Sequence, residues 1–231
     1  MRPFCYTIAT FAIYRPFEMI RVDLCYQNLP VTVIGMGAGV IYSTLGATHH
    51  SMEDIAIASA IPNMTVLAPC DPLEMQIATQ WCATKSTGPV YMRLGKVGEP
   101  NITEDAYDSF EVGKIRRIIK GEDISIITYG ISISIAKKIY DDLRKLGKNP
   151  SLVNIHTIKP LDKERLKELL SSHKVNIIIE EHVPHGGLNS RLKELAFEEK
   201  INTEICSFTL KDEFIHFYGN HEQLLEKHGI S

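Results

Sequence analysis

Three observations predict an α/β fold built of two parallel-sheet units. Short β-branched runs alternate with helical patterns along the chain. One polar, acidic stretch with Gly and Pro, "GKVGEPNITEDAYDSFEV" at 95–112, interrupts that alternation. The parts on either side each repeat the strand–turn–helix order of parallel α/β units. With 231 residues, 44% hydrophobic and 23% charged, the chain is large and apolar enough to bury such cores.

Along the first part, "FCYTI", "VTVIGM", "MTVLAP" and "PVYMRL" read as buried strands, with helices expected over 17–27, 51–60 and 72–84. Asp71 is placed to cap the last of these, with Pro72 at its first position and Glu74 completing a capping-box-like pattern. Along the second, "DISIITYG", "PSLVNIHT", "VNIIIEEH" and "TEICSFTL" read as strands. Helices are expected there over 132–146, 162–171, 188–198 and 222–227. The division is a first unit at 1–98, a linker at 99–112 and a second unit at 113–231. The first unit opens on a strand with no leading helix, so it reads as the later part of a domain. The second reads as a complete small one.

Composition removes several function classes. A formal charge of −3 and a pI near 6.3 leave no electrostatic footprint for nucleic acid. The short basic runs "KIRR" (114–117) and "LRKLGK" (143–148) read as solvated helix or strand ends. Five cysteines, odd in number and without a C-x-x-C pair, fit reduced thiols in a cytoplasmic protein. No apolar run reaches the roughly 18 residues a membrane span needs. The N-terminal "MRPFCYTIATFAIY" is interrupted by Thr7 and Thr10 and reads as fold, not as a signal peptide.

Candidate chemistry starts at "STLGATHHSMEDIA". "VTVIGM" supplies a strand, Gly35, Gly37 and Gly39 a turn, and Ser51 with Asp54 a capping pair for the next helix. His49 and His50 then stand before the positive end of a helix, which favours neutral imidazole. They are either hydrogen-bonding or acid/base groups, or loop residues with local backbone partners. In "TFAIYRPFEMIR", Phe11, Tyr14 and Phe17 recur every third residue, giving either a core stripe or a stacking pocket for a flat ring. Arg93, leaving a strand in "PVYMRLGK", suits either phosphate or carboxylate capture or an ordinary ion pair. Glu180, Glu181, His182 and His185 match no strong metal-ligand spacing, and Gly186 and Gly187 permit a tight turn. There is no P-loop and no complete G-x-G-x-x-G.

In their order, "PFCYTIATFAIYRPFEMIR", "GATHHSMEDIAI", "IPNMTVLAPCDPLEM", "GPVYMRLGK", "IKPLD" and "EEH…GGL" resemble the transketolase family over nearly the whole chain. The resemblance is to its C-terminal half, as found in split enzymes, N-terminally truncated. It implies the later part of a pyrimidine-binding domain at 1–98 and a C-terminal domain at 113–231. The implied cofactor is thiamine diphosphate, its diphosphate and magnesium held by a partner chain. Phe11, Tyr14 and Phe17 are similar to the residues lining the aminopyrimidine pocket. His49 is similar to the histidine that contacts sugar hydroxyls near the reacting carbon, and Arg93 to the arginine that grips the substrate phosphate. The implied reaction transfers a two-carbon ketol unit between sugar phosphates within a homo- or hetero-oligomer.

Two departures qualify this. Leu45 and Gly37 stand where many transketolases have an aspartate and a histidine, which opens the way to a different ketose or 2-oxo acid donor. The family's essential glutamate lies upstream of the aromatic segment, and neither Glu18 nor Glu53 matches its motif. The alternatives are therefore a deoxyxylulose-phosphate-synthase-like or 2-oxo acid dehydrogenase β-like subunit, or a non-catalytic assembly module. A nucleotide-binding regulator rests only on the generic α/β pattern.

Overall fold

The computed structural model describes residues 1–230. The first unit runs β1 (Phe4–Ile8), α1 (Ala9–Ile13), α2 (Phe17–Met19) continuing as a π-helical turn (Ile20–Tyr26), then β2 (Thr32–Met36). It continues with α3 (Asp54–Ala60), β3 (Thr65–Leu67), α4 (Pro72–Thr84) and β4 (Val90–Arg93). The second runs β5 (Arg116–Ile119), β6 (Ile124–Thr128), α5 (Ile133–Lys145), β7 (Ser151–Asn154) and β8 (Thr157–Lys159). After these come α6 (Lys163–Ser172), β9 (Val175–Ile179), α7 (Leu188–Glu198), β10 (Glu204–Phe208) and α8 (His221–Lys227).

The sheets are ordered β1-β2-β4-β3-β8 and β10-β9-β6-β7-β5. Most neighbours are parallel, as the alternating pattern predicts, but each sheet ends on an antiparallel strand: β8 on β3, and β5 on β7. "PSLVNIHT" is therefore not one strand. It breaks after Asn154, and the chain continues into β8, which leaves its own unit so that Thr157 pairs with Leu67 and Lys159 with Val66 of the first. The His156 carbonyl extends that seam by accepting from Ala68 N at 2.8 Å.

That crossover merges the cores. One apolar cluster joins Ile13, Ile55, Val66 and Tyr91 of the first unit to Ile127, Tyr129, Ile158 and Leu188 of the second. Burying a Leu- or Ile-sized side chain contributes about 1.5–3 kcal/mol, so a shared core ties the units together strongly.

Other expectations are corrected. "KIRR" is not a solvated end: it enters β5, and buried Arg116 reaches Glu74 at 3.1 Å. The linker is not loose. Asp71 accepts from the amides of Ile102 (2.9 Å) and Thr103 (2.7 Å), and Asp108 pairs with Arg117 at 2.9 Å. Asp71 also caps α4 through Glu74 N at 2.9 Å, as its spacing predicts, but the Glu74 carboxylate turns instead to Cys70 N and Arg116. β1 is not buried: Phe4–Thr7 are exposed along the sheet edge. The helix expected over 17–27 is α-helical only for one turn before widening, and Pro16, which lacks an amide proton, separates it from α1.

Candidate active site

β2 ends on Met36, and the chain turns sharply through Gly37 and Gly39, at φ +75° and +63°. A side chain at Gly37 would collide with the Tyr42 ring, and one at Gly39 with the Glu181 carboxylate. Neither position tolerates anything larger. Gly39 and Ser51 exchange both backbone hydrogen bonds at 2.9 Å, so residues 40–50 form a closed loop that carries the histidines.

α1 lies against that loop, with Thr10 donating to the Thr48 carbonyl at 3.0 Å. The contact brings the Phe11 ring edge-on to His49, centroids 5.4 Å apart. His49 in turn meets Tyr42 edge-on at 6.4 Å, and Lys96 lies over Tyr42 with its ammonium 5.5 Å from the ring centre. On the other side Arg15 lies 5.2 Å over Phe11. A row of Arg15, Phe11, His49, Tyr42 and Lys96 thus faces outward from the carboxyl end of β2, where an open α/β sheet receives ligands.

Beneath this row is a cleft of about 380 Å³, lined by Phe11, Tyr14, His50 and Glu53 and closed by Phe214 and Ile215 from the second unit. The Tyr14 hydroxyl donates to Glu53 at 2.7 Å, receives Glu53 N at 3.2 Å and sits 3.2 Å from Ser51 Oγ. Burial, reinforced by Asp54, pushes the phenol pKa well up, so Tyr14 stays a neutral donor.

The two histidines differ. His49 is half-buried, with Nδ1 on Thr48 Oγ1 at 2.9 Å and its ring in the outer row. His50 is 5% exposed. Burial lowers its pKa; the Ser43 and Tyr42 carbonyls stand near it, but neither meets hydrogen-bond geometry. The cap expected of Ser51 and Asp54 is absent. α3 begins at Asp54 with no side-chain cap, because the Asp54 carboxylate points inward.

Its inward partners correct the expectation for Arg93. That guanidinium is 2% exposed and binds Asp54 at 3.0 Å, the Glu181 carbonyl at 2.9 Å and the Ser51 carbonyl at 3.4 Å. The Tyr91 hydroxyl donates to the same Asp54 at 2.7 Å, and the Tyr129 ring lies 5.3 Å from the guanidinium. β4 is flanked by β2 and β3, and its last side chain turns toward the second unit, away from solvent. Arg93 therefore joins the units through Nε and Nη2, which leaves Nη1 without a hydrogen-bond partner among the described residues. Phe17 also stands apart from the cleft: the break at Pro16 turns it onto the shared core.

The acidic and histidine run after β9 diverges instead of converging. Glu180 accepts from Leu188 N (2.9 Å), Asn189 N (3.0 Å) and the Tyr129 hydroxyl (3.0 Å). Glu181 crosses to Val40 N at 3.1 Å and to His221 at 3.0 Å, and His182 accepts from Ala56 N at 3.3 Å. No group of three or more His, Cys, Asp or Glu able to hold a metal ion occurs among the described residues. No helix among them is long and apolar enough to cross a membrane.

Sequence reasoning found Phe11, Tyr14 and His49, which the fold does bring together. It did not place Tyr42 and Lys96 in the row beside them, nor Glu53 and the Phe214–Ile215 wall in the cleft. Lys96 carried a readable signal, as a cation three residues past the end of β4. The wall carried none, since it arrives from more than 150 residues away.

The family model "Transketolase, pyrimidine binding domain" matches residues 1–98, and "Transketolase, C-terminal domain" matches 113–231. A subunit of the apulose-4-phosphate transketolase of Phocaeicola vulgatus is 30% identical over 222 residues, covering 96% of this chain and 70% of the relative. The putative transketolase C-terminal section of Methanocaldococcus jannaschii is 32% identical, covering 98% and 71%. A 1-deoxy-D-xylulose-5-phosphate synthase of Dictyoglomus thermophilum is 33% identical across the whole chain, which spans only 37% of that longer relative. A solved split-gene transketolase, described as an inactive beta4 tetramer, superposes with a TM-score of 0.87 at 31% identity, over 99% of this chain and 72% of that one. Matched along both units, this chain belongs to the transketolase family.

Proposed function

We propose that this chain is the pyrimidine-side subunit of a thiamine-diphosphate-dependent ketol transferase acting on sugar phosphates in the cytoplasm. Residues 1–98 serve as part of the pyrimidine-binding domain, 99–112 as the linker and 113–231 as the C-terminal domain. A partner chain supplies the diphosphate and magnesium site. The observation that carries this is the meeting of Phe11 and Tyr14 in one cleft beyond the carboxyl end of β2, with His49 edge-on to Phe11 at its rim.

The residues present fit the cofactor's ring. The cleft has aromatic walls, a neutral hydroxyl donor and a carboxylate, which together suit a flat, amino-bearing heteroaromatic. The bound cofactor supplies the nucleophilic carbon that adds to the donor's carbonyl. This chain's tasks are then to bind and to orient. Phe11 and Tyr14 stack against the ring and exclude water. His49, fixed by Phe11, Tyr42 and Thr48, hydrogen-bonds substrate hydroxyls at the rim. Lys96, exposed at the end of the row, takes the anion-binding role expected of Arg93.

The test is to purify the complex that this chain forms in its source cells and supply thiamine diphosphate and magnesium. The expected result is cofactor-dependent two-carbon exchange between a ketose phosphate and an aldose phosphate. Absence of exchange in a complex that retains the diphosphate chain would overturn it. The 33% identity to the D. thermophilum synthase favours one second reading, a deoxyxylulose-phosphate-synthase-like subunit. Carbon dioxide release from a 2-oxo acid donor, in place of aldehyde exchange, would select it.

A further inference from the structure

The cleft's polar groups can be sorted by whether they are already engaged. Thr10 Oγ1 is held by the Thr48 carbonyl, Thr48 Oγ1 by His49, and the Tyr14 hydroxyl by Glu53 and Ser51. Both His50 nitrogens are shielded from the cleft as well as unpartnered. One acceptor remains. Glu53 gives Oε2 to the Tyr14 hydroxyl at 2.7 Å and to Met52 N at 3.2 Å, while Oε1 has no hydrogen-bond partner among the described residues and is not buried. Arg15, the cation at the cleft, lies over Phe11 instead. Two donors on one oxygen fix the carboxylate's orientation and leave the other oxygen free for a ligand.

We propose that Glu53 is the ligand-binding carboxylate of this cleft, accepting through Oε1 a hydrogen bond from the amino group of a bound aminopyrimidine. The proposal deepens the thiamine reading and rests on it. Tyr14 is then a positioning residue twice over, offering its ring to the ligand and its hydroxyl to the carboxylate. The assignment separates the two acidic neighbours at the start of α3: Asp54 is spent on Arg93 and Tyr91, and Glu53 is left for chemistry.

The experiment uses the full chain and two probes, 4-amino-5-hydroxymethyl-2-methylpyrimidine and the same pyrimidine without its 4-amino group. Binding of each is followed by calorimetry at millimolar concentrations. Wild-type protein is expected to prefer the amino probe by about tenfold or more, the usual effect of one hydrogen bond to a charged acceptor. Glu53→Gln keeps a carbonyl for Tyr14 but turns an amide donor toward the ligand, so the preference is expected to vanish. Tyr14→Phe, which loosens the carboxylate without removing it, is expected to reduce the preference and not abolish it. Matching thermal melts confirm that each variant is folded. Glu53→Gln protein that still prefers the amino probe as wild type does, or wild type that binds both probes equally, overturns the proposal and leaves the thiamine reading standing. Wild-type protein that binds neither probe overturns both.

Discussion

Arg93 and Lys96 lie three residues apart, on opposite sides of a boundary that divides the molecule. Inside it, Arg93 binds Asp54 and the Glu181 carbonyl, and Tyr91 binds the same Asp54, between the two units. Outside it, Lys96, Tyr42, His49 and Phe11 touch through ring faces and edges and keep polar atoms open. Both regions hold residues that a motif would call functional. The difference teaches that in this fold the carboxyl end of a strand is an ambiguous address. The last side chain of a central strand can turn into the interunit seam, while the first residues of the following loop are those left facing outward.

The sharpest way to break that contrast is Arg93→Met. It strands the Asp54 carboxylate, 0% exposed, without its cation, and removing one partner of a buried pair costs about 3–5 kcal/mol. Urea unfolding is expected to show that loss. Unchanged stability would make Arg93 a candidate ligand-binding group again.

The seam also sets an acid limit. Burial, with Arg116 adding to it, drops the His156 pKa from 6.5 to about 3, and the ring stacks on Phe110 at 3.8 Å with Nε2 unpartnered. A histidine whose pKa is lower folded than unfolded binds its proton preferentially in the unfolded chain. Its contribution is therefore complete above pH 6.5 and falls away as pH drops toward 3. At pH 5 the loss relative to pH 7 is ~2 kcal/mol, at about 1.4 kcal/mol per pH unit. His156→Phe is expected to flatten that limb of the stability curve in urea melts at pH 5 and 7. An unchanged slope would place the acid sensitivity elsewhere.

Most of the element order was legible because periodicity and capping act locally: α4 and α7 occupy the expected residues, and Asp71 caps α4. What was not legible depended on tertiary partners. The break after Asn154 follows from its amide reaching Glu74, 80 residues away, and from the unpaired edge of β3. "KIRR" looked solvated because nothing near it in sequence announces the Glu74 carboxylate. At the site, Phe11, Tyr14 and His49 were readable as residue types at suggestive spacings. Phe17 shares that spacing, but Pro16 interrupts the helix that would have kept it on the same face. Glu53 and Asp54 are adjacent acids whose opposite fates are set by which way α3 starts.

Two smaller effects sharpen the outer region. Gly37→Ala places a methyl group in the Tyr42 ring at a backbone φ of +75°, for a cost of ~1–3 kcal/mol. Because Tyr42 supports His49, the same variant is expected to shift the His49 ring signals in an NMR spectrum. Unmoved His49 signals would mean that Tyr42 does not hold it.

Lys96→Gln is expected to change least in stability and most in specificity. The ammonium is exposed and touches only a ring face, so its removal costs at most about 0.5 kcal/mol in urea unfolding. A phosphorylated ligand at the rim would lose its exposed cation, so affinity for a sugar phosphate should fall while affinity for the unphosphorylated sugar stays the same. The loss should also shrink with added salt, because an exposed pair is screened over about 8 Å at physiological ionic strength. Equal losses for both sugars would mean that Lys96 only props up Tyr42. The open side of the boundary would then have no anion-binding group at this end, and the Arg93–Lys96 contrast would reduce to one of burial alone.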